Sequence, residues 1–213
     1  MTRRFLAALA LLVPLLGTAA EGDWGYAQIN FVKAGLTEKW SVLSRSQVTL
    51  RDDFSELYFW YVDAGLAYSL APAWRVELAY RHAEWNFGSG WLTERRPMVN
   101  LDWMGKAKGV RLSNQTRLEY RDFQWARETD WRFRNRTRAD FPWEVLGVSP
   151  FLEEEFFVGY NRGALEMNWL SAGLQVKPFN GVKLKAGYRW IAIRVGDQWE
   201  NRNQLVTGLA LFF

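Results

Sequence analysis

The stretch DWRFRNRTRADF, Asp130 to Phe141, decides how the chain folds. Read with period two, Trp131, Phe133, Asn135, Thr137, Ala139 and Phe141 fall on one side, and Arg132, Arg134, Arg136, Arg138 and Asp140 on the other. A helix would scatter those arginines around its circumference, whereas a β-strand puts all four on one face. Four guanidinium groups on one face repel one another unless carboxylates or an anionic ligand lie opposite. The surroundings of that face are therefore the central question.

Working outward, the same period recurs. Alternating segments run over Trp40–Arg51, Leu57–Leu70, Trp74–Trp85, Arg95–Trp103 and Val110–Asp122, then through the arginine strand, then over Pro150–Tyr160, Met167–Lys177, Val182–Arg194 and Gln204–Phe213. In Val110–Asp122, for example, Val110, Leu112, Leu118 and Tyr120 oppose Arg111, Ser113, Gln115, Arg117, Glu119 and Arg121. Aromatic residues make up 16% of the chain, with 13 tryptophans, which favours strands, and the 6 prolines mostly lie near segment ends. These are ten strands joined as hairpins, mostly of about the 9–11 residues that a tilted membrane-crossing strand needs.

Two details favour a membrane barrel over a soluble one. Short turns such as Ala71–Ala73 and Pro178–Gly181 alternate with longer polar loops such as Asn86–Trp91 and Gly196–Asn203. Tryptophans also gather at strand ends, with Trp40, Trp74 and Trp103 beside short turns and Trp60, Trp85, Trp131, Trp169 and Trp190 towards the other rim. Lipid demands the apolar face outward, so the charged faces must line the interior. Trp24–Lys33 alternates only weakly. As a strand it would raise the count to eleven, against the even numbers of bacterial barrels, so residues 21–38 are left as an N-terminal segment without assigned place. The expectation is an all-β, antiparallel, up-and-down transmembrane barrel of ten strands, with twelve as the alternative, over residues 21–213.

Residues 1–20 have the plan of a cleaved signal peptide. Arg3 and Arg4 precede the apolar run Phe5–Leu16, and Gly17, Thr18, Ala19 and Ala20 supply a cleavage site. No cysteine is present, which excludes lipoprotein anchoring and disulfides. Without Arg3 and Arg4 the 27 basic residues become 25 against 23 acidic, a formal charge of +2, which gives nucleic acid little support as a partner.

By parity the interior gathers Arg117, Arg121, Arg132, Arg134, Arg136, Arg138, Lys183, Lys185 and Arg189, with Glu119, Glu153 and Glu155 among the carboxylates. They are read either as an Arg–Glu lattice filling a narrow lumen or as a track for small anions, including acidic oligosaccharides, because arginine rows hold carboxylates and phosphates bidentately. Enzymatic chemistry has weak support. The one histidine, His82, shares its parity with Leu78 and Tyr80 on the outer face, and no His-x-Ser pairing accompanies it. One histidine and no cysteine build no usual zinc site, and Asp52, Asp53 and Glu153–Glu155 read as solvated carboxylates before calcium ligands. No cofactor, no metal and no catalytic residue are expected. An outer-membrane hydrolase acting on lipid or peptide is the alternative function.

Several elements together resemble a known family: Gly65-Leu66-Ala67-Tyr68, Tyr80-Arg81, Glu94-Arg95-Arg96-Pro97, Thr116-Arg117-Leu118-Glu119-Tyr120-Arg121 and Trp131-Arg132-Phe133-Arg134-Asn135-Arg136. They look like the bacterial outer-membrane barrels grouped as domain of unknown function 2490, over about Trp24 to Phe213. The resemblance implies a location in the outer membrane of a Gram-negative cell and a porin-like architecture, and carries over no activity. Phe213 resembles the terminal aromatic signal read by the barrel-assembly machinery. Expected partners are thus outer-membrane lipid, that machinery and a small anion, with the barrel a monomer.

Overall fold

The computed structural model describes residues 24–124, 129–161 and 163–213. Among them are eleven strands in chain order: β1 (Trp24–Gly35), β2 (Trp40–Arg51), β3 (Glu56–Ala71), β4 (Trp74–Asn86), β5 (Trp91–Ala107), β6 (Val110–Phe123), β7 (Asp130–Asp140), β8 (Val148–Gly159), β9 (Ala164–Phe179), β10 (Val182–Val195) and β11 (Gln198–Phe212). Each pairs antiparallel with the next, and the sheet closes into a barrel. The proposed cleavage site lies outside the described residues.

The count of ten is corrected to eleven. Residues 24–35 are wall, not an appended segment, because their backbone hydrogen-bonds to β2 on one side and β11 on the other. An odd number of alternating strands makes the first and last run the same way, so β1 pairs parallel with β11, Tyr26 opposite Leu205 and Lys33 opposite Phe212. Phe213 extends this seam, its N–H donating to the Lys33 carbonyl at 2.9 Å while its carbonyl accepts from Gly35 N at 3.0 Å. Trp24 and Phe213 consequently lie at opposite rims, called here the N-terminal and the C-terminal rim.

The expected contrast of short turns and long loops holds in part, with 141–147 and 196–197 as its exceptions. The C-terminal rim carries 36–39, 72–73, 108–109, 141–147 and 180–181, and the N-terminal rim 52–55, 87–90, 124–129, 160–163 and 196–197. Neither rim has the longer connections throughout. Strands run past the apolar-polar alternation: Gly196–Asn203, read as a loop, holds the first turns of the β10–β11 ladder from Gln198 onward. Backbone pairing continues there although the side chains no longer alternate.

Parity is followed closely elsewhere. Leu66, Leu78, Val99, Leu118, Leu152, Leu174 and Leu205 form an exposed apolar belt outside, with Leu78 64% exposed. Inside, the buried set is dominated by Arg, Glu, Asp, Gln and Asn. This is the reverse of a water-soluble barrel, whose apolar faces turn inward. Outward aromatics pair across strands near the rims, Trp40 with Tyr68 at 4.8 Å between ring centroids and Tyr120 with Trp131 at 5.1 Å. Trp85 and Trp169, expected in the rim belts, turn inward instead. Their odd positions put them on the charged face of β4 and β9, and Trp85 donates its Nε1–H to Glu94 Oε2 at 2.9 Å.

Candidate functional site

The interior is built on cross-strand register. β7 sets Arg136 opposite Glu155 and Arg138 opposite Glu153 of β8, and sets Arg132 opposite Glu119 of β6. The expected neighbours therefore meet, and the side chains sort into groups around single carboxylates.

Glu119, fully buried, is the densest of these. Arg132 reaches it at 2.6 Å, Arg117 and Arg134 at 3.4 Å, and Arg96 at 3.5 Å. Glu155 takes Arg134 at 2.6 Å, and Glu153 takes Arg138 at 3.2 Å and Arg189 at 3.9 Å. Arg121 turns to Glu94 at 2.7 Å and to Asp130 at 3.8 Å, while Lys183 stands 3.8 Å from Asp140. Guanidinium groups shared among carboxylates in this way offset the desolvation that isolated charges would suffer inside the barrel.

Parity reasoning missed two members. Arg45 of β2 gives a forked pair of hydrogen bonds to Glu77, at 2.7 and 2.6 Å, and contacts Asp63 at 3.1 Å. Asp63 in turn accepts from Arg81 at 2.6 Å. Glu94 is fully buried beneath Arg96 and Arg121. The signal for Arg45 was its odd position beside Leu43 and Gln47, weakened because β2 carries serines on both faces.

Arg136 and Lys185 differ from the rest. Neither makes an ion pair or a side-chain hydrogen bond among the described residues; Glu155 is contacted by Arg134, and Glu153 by Arg138 and Arg189. Both line the central cavity, of about 290 Å³, whose wall carries ten arginines and lysines against three carboxylates. The local potential there is positive even though the interior as a whole is extensively paired.

Three cavities follow one another along the lumen. At the C-terminal rim a recess of about 840 Å³ is lined by Arg111, Lys177 and Lys183 with Asp140. It shares Lys183, Ser113 and Phe212 with the central cavity. The central cavity shares Gln47, Tyr61, Arg81, Arg134 and Trp169 with a third of about 150 Å³ that opens towards the N-terminal rim. These five residues form the waist. Arg81 lies over the Tyr61 ring, 3.5 Å from its centroid, and Trp169 packs against Arg189 at 4.4 Å and Arg134 at 5.6 Å. The aromatic faces hold the guanidinium planes in place, while their N–H groups donate from Arg81 to Asp63, from Arg134 to Glu155 and Glu119, and from Arg189 to Ser171.

His82 faces outward on β4, where its Nε2 lies 2.9 Å from Glu84 and its ring 5.6 Å from that of Trp60. Among the described residues no hydroxyl is hydrogen-bonded to it, and no group of three His, Cys, Asp or Glu side chains is placed to hold a metal ion.

A family model described as "Protein of unknown function (DUF2490)" matches residues 25–202. The chain belongs to this family. No curated protein matches it. Among solved structures the DUF2490 chain is similar to the NanC porin, solved in a rhombohedral crystal form, with a TM-score of 0.53 and 14% identity over 84% of this chain and 93% of that one. At that identity the likeness is one of fold: a porin-like barrel carries this interior.

Proposed function

We propose that the chain is an outer-membrane barrel forming a narrow pore that prefers anions. The carrying observation is the central cavity, with ten cationic and three acidic side chains in its wall and with Arg136 and Lys185 making no contact ion pair among the described residues. A permeating carboxylate or phosphate would find forked donors there without first breaking a buried pair. The porin-like fold and the apolar outer belt support the membrane setting. The paired groups around Glu119 and Glu77 hold the wall rigid, so structural and selective roles fall to different residues of one interior. Phe213 is 80% exposed at the C-terminal rim.

The solutes that fit are small inorganic anions and acidic oligosaccharides thin enough to pass the Tyr61–Arg81–Trp169 waist. Solute uptake into liposomes carrying the purified barrel tests this. Acidic sugars should enter faster than neutral sugars of equal size, and basic ones slowest. Equal entry of all three, or none, refutes the reading.

A further inference from the structure

β1 reverses the polarity expected of a wall facing lipid. It turns Ala27, Ile29 and Phe31 inward and Tyr26, Gln28 and Asn30 outward. The register fixes this, because Gln28 stands opposite Val48 and Tyr26 opposite Leu205, residues 41% and 43% exposed on the outer surface. The outward side chains form a hydrogen-bonded ladder across the seam. The Tyr26 hydroxyl pairs with Thr207 Oγ1 at 2.6 Å, Thr207 also bonds Gln28, Gln28 Nε2 donates to Asn30 Oδ1 at 2.9 Å, and Asn30 Nδ2 donates to Ser46 Oγ at 3.2 Å. Each amide nitrogen carries two donors and spends one in the ladder. The second N–H of Gln28 and of Asn30 is left for whatever lies outside, at mid-strand, where hydrocarbon offers no acceptor.

We propose that this wall packs against the same wall of a second copy of the chain, so that the barrel is a dimer in the membrane. The inference rests on the reading of the barrel as membrane-spanning, since in water the same amides would simply be hydrated. A second copy suits the wall because the ladder is uncharged and holds donors and acceptors together, which makes it self-complementary across a two-fold axis. Ser44, Ser46 and Ala34 beside it are small enough for two sheets to approach closely. Another outward polar group, on β6 to β9, suits a two-fold less well. There Asn114 and Asn135 bond each other at 2.9 Å, and Glu154, bonded by Asn168 at 3.1 Å, would face its own carboxylate across the axis. Joining that wall to the seam wall would be heterologous, giving open rows of barrels and no closed pair. The dimer replaces the monomer expected from the sequence.

The chain has no cysteine, so single-cysteine variants report contacts cleanly. Ser46→Cys and, as a control on the outer face of β4 away from the seam, Leu78→Cys are expressed, located by outer-membrane fractionation, and treated in isolated membranes with a short bismaleimide. Heat-modifiable migration confirms that each barrel is folded. The expected result is a cross-linked species of twice the monomer mass for Ser46→Cys and none for Leu78→Cys. The double variant Gln28→Leu, Asn30→Leu should stay folded but run as a monomer in light scattering in mild detergent, where the wild type runs as a dimer. A monomeric wild type, a cross-link through Leu78→Cys alone, or a dimer unchanged in the double variant would overturn the dimer and leave the membrane reading standing. Absence of the wild type from the outer-membrane fraction overturns both.

Discussion

Arg136 stands directly across the β7–β8 ladder from Glu155, yet Glu155 gives its oxygen to Arg134, 2.6 Å away. The same strand thus holds an arginine that secures the wall and, two positions on, one that faces the cavity with no contact ion pair among the described residues. This division yields separable consequences for stability and for ion selection.

Glu119 holds four guanidinium groups within 3.5 Å. Glu119→Gln keeps the shape but leaves those charges facing one another in a buried site, and breaking such pairs costs about 3–5 kcal/mol. We expect a lower urea midpoint for the barrel refolded in lipid vesicles, followed by tryptophan fluorescence. An unchanged midpoint would mean that water, not Glu119, balances the cluster.

Arg136→Gln removes a charge that no carboxylate among the described residues contacts within 4 Å. Its unfolding midpoint should fall by less than that of Glu119→Gln, because Arg136 acts on Glu153 and Glu155 only from beyond contact distance. Arg132→Gln, by contrast, should approach the loss seen for Glu119→Gln, because Arg132 makes the 2.6 Å contact to that carboxylate. Equal midpoints for the two arginine variants would remove the distinction between securing and selecting residues.

Trp169 fills the waist between the central cavity and the N-terminal rim, packed against Phe157 at 4.7 Å. Trp169→Ala should raise single-channel conductance while keeping anion preference, since the cations stay in place. Unaltered conductance would put the limiting passage elsewhere.

Gly173 and Gly187 face each other across β9 and β10. A Cβ on Gly187 would lie 2.5 Å from the Ala172 carbonyl oxygen and 3.0 Å from the Gly173 Cα, both backbone atoms that cannot swing away. Gly187→Ala should therefore reduce the folded, heat-modifiable fraction, whereas Ala186→Gly on the outer face should not. Full folding of Gly187→Ala would show that the two strands can separate without loss.

Much of this was legible in the chain. Period-two alternation placed Arg132, Arg134, Arg136 and Arg138 on one face and Glu153 and Glu155 opposite them, because a strand has only two faces and adjacent antiparallel strands share register. β1 was not legible. Its Gln28 and Asn30 face outward while Ile29 and Phe31 face inward, so a rule that puts apolar residues outside finds no strand there. Trp85 and Trp169 were misplaced for a related reason: aromatic residues at strand ends suit a rim belt, but their parity with Arg81 and Ser171 sends them inward. Arg45 was lost because serines on both faces of β2 blur its alternation.

The reversal potential of the wild-type barrel in a planar bilayer, under a tenfold potassium chloride gradient, decides whether its lumen prefers anions. The expected sign is set by chloride, with a smaller value for Arg136→Gln and a decline in wild-type selectivity as salt rises towards 1 M, where the screening length falls to about 3 Å. A sign set by potassium, or a value unmoved by Arg136→Gln, would contradict that preference.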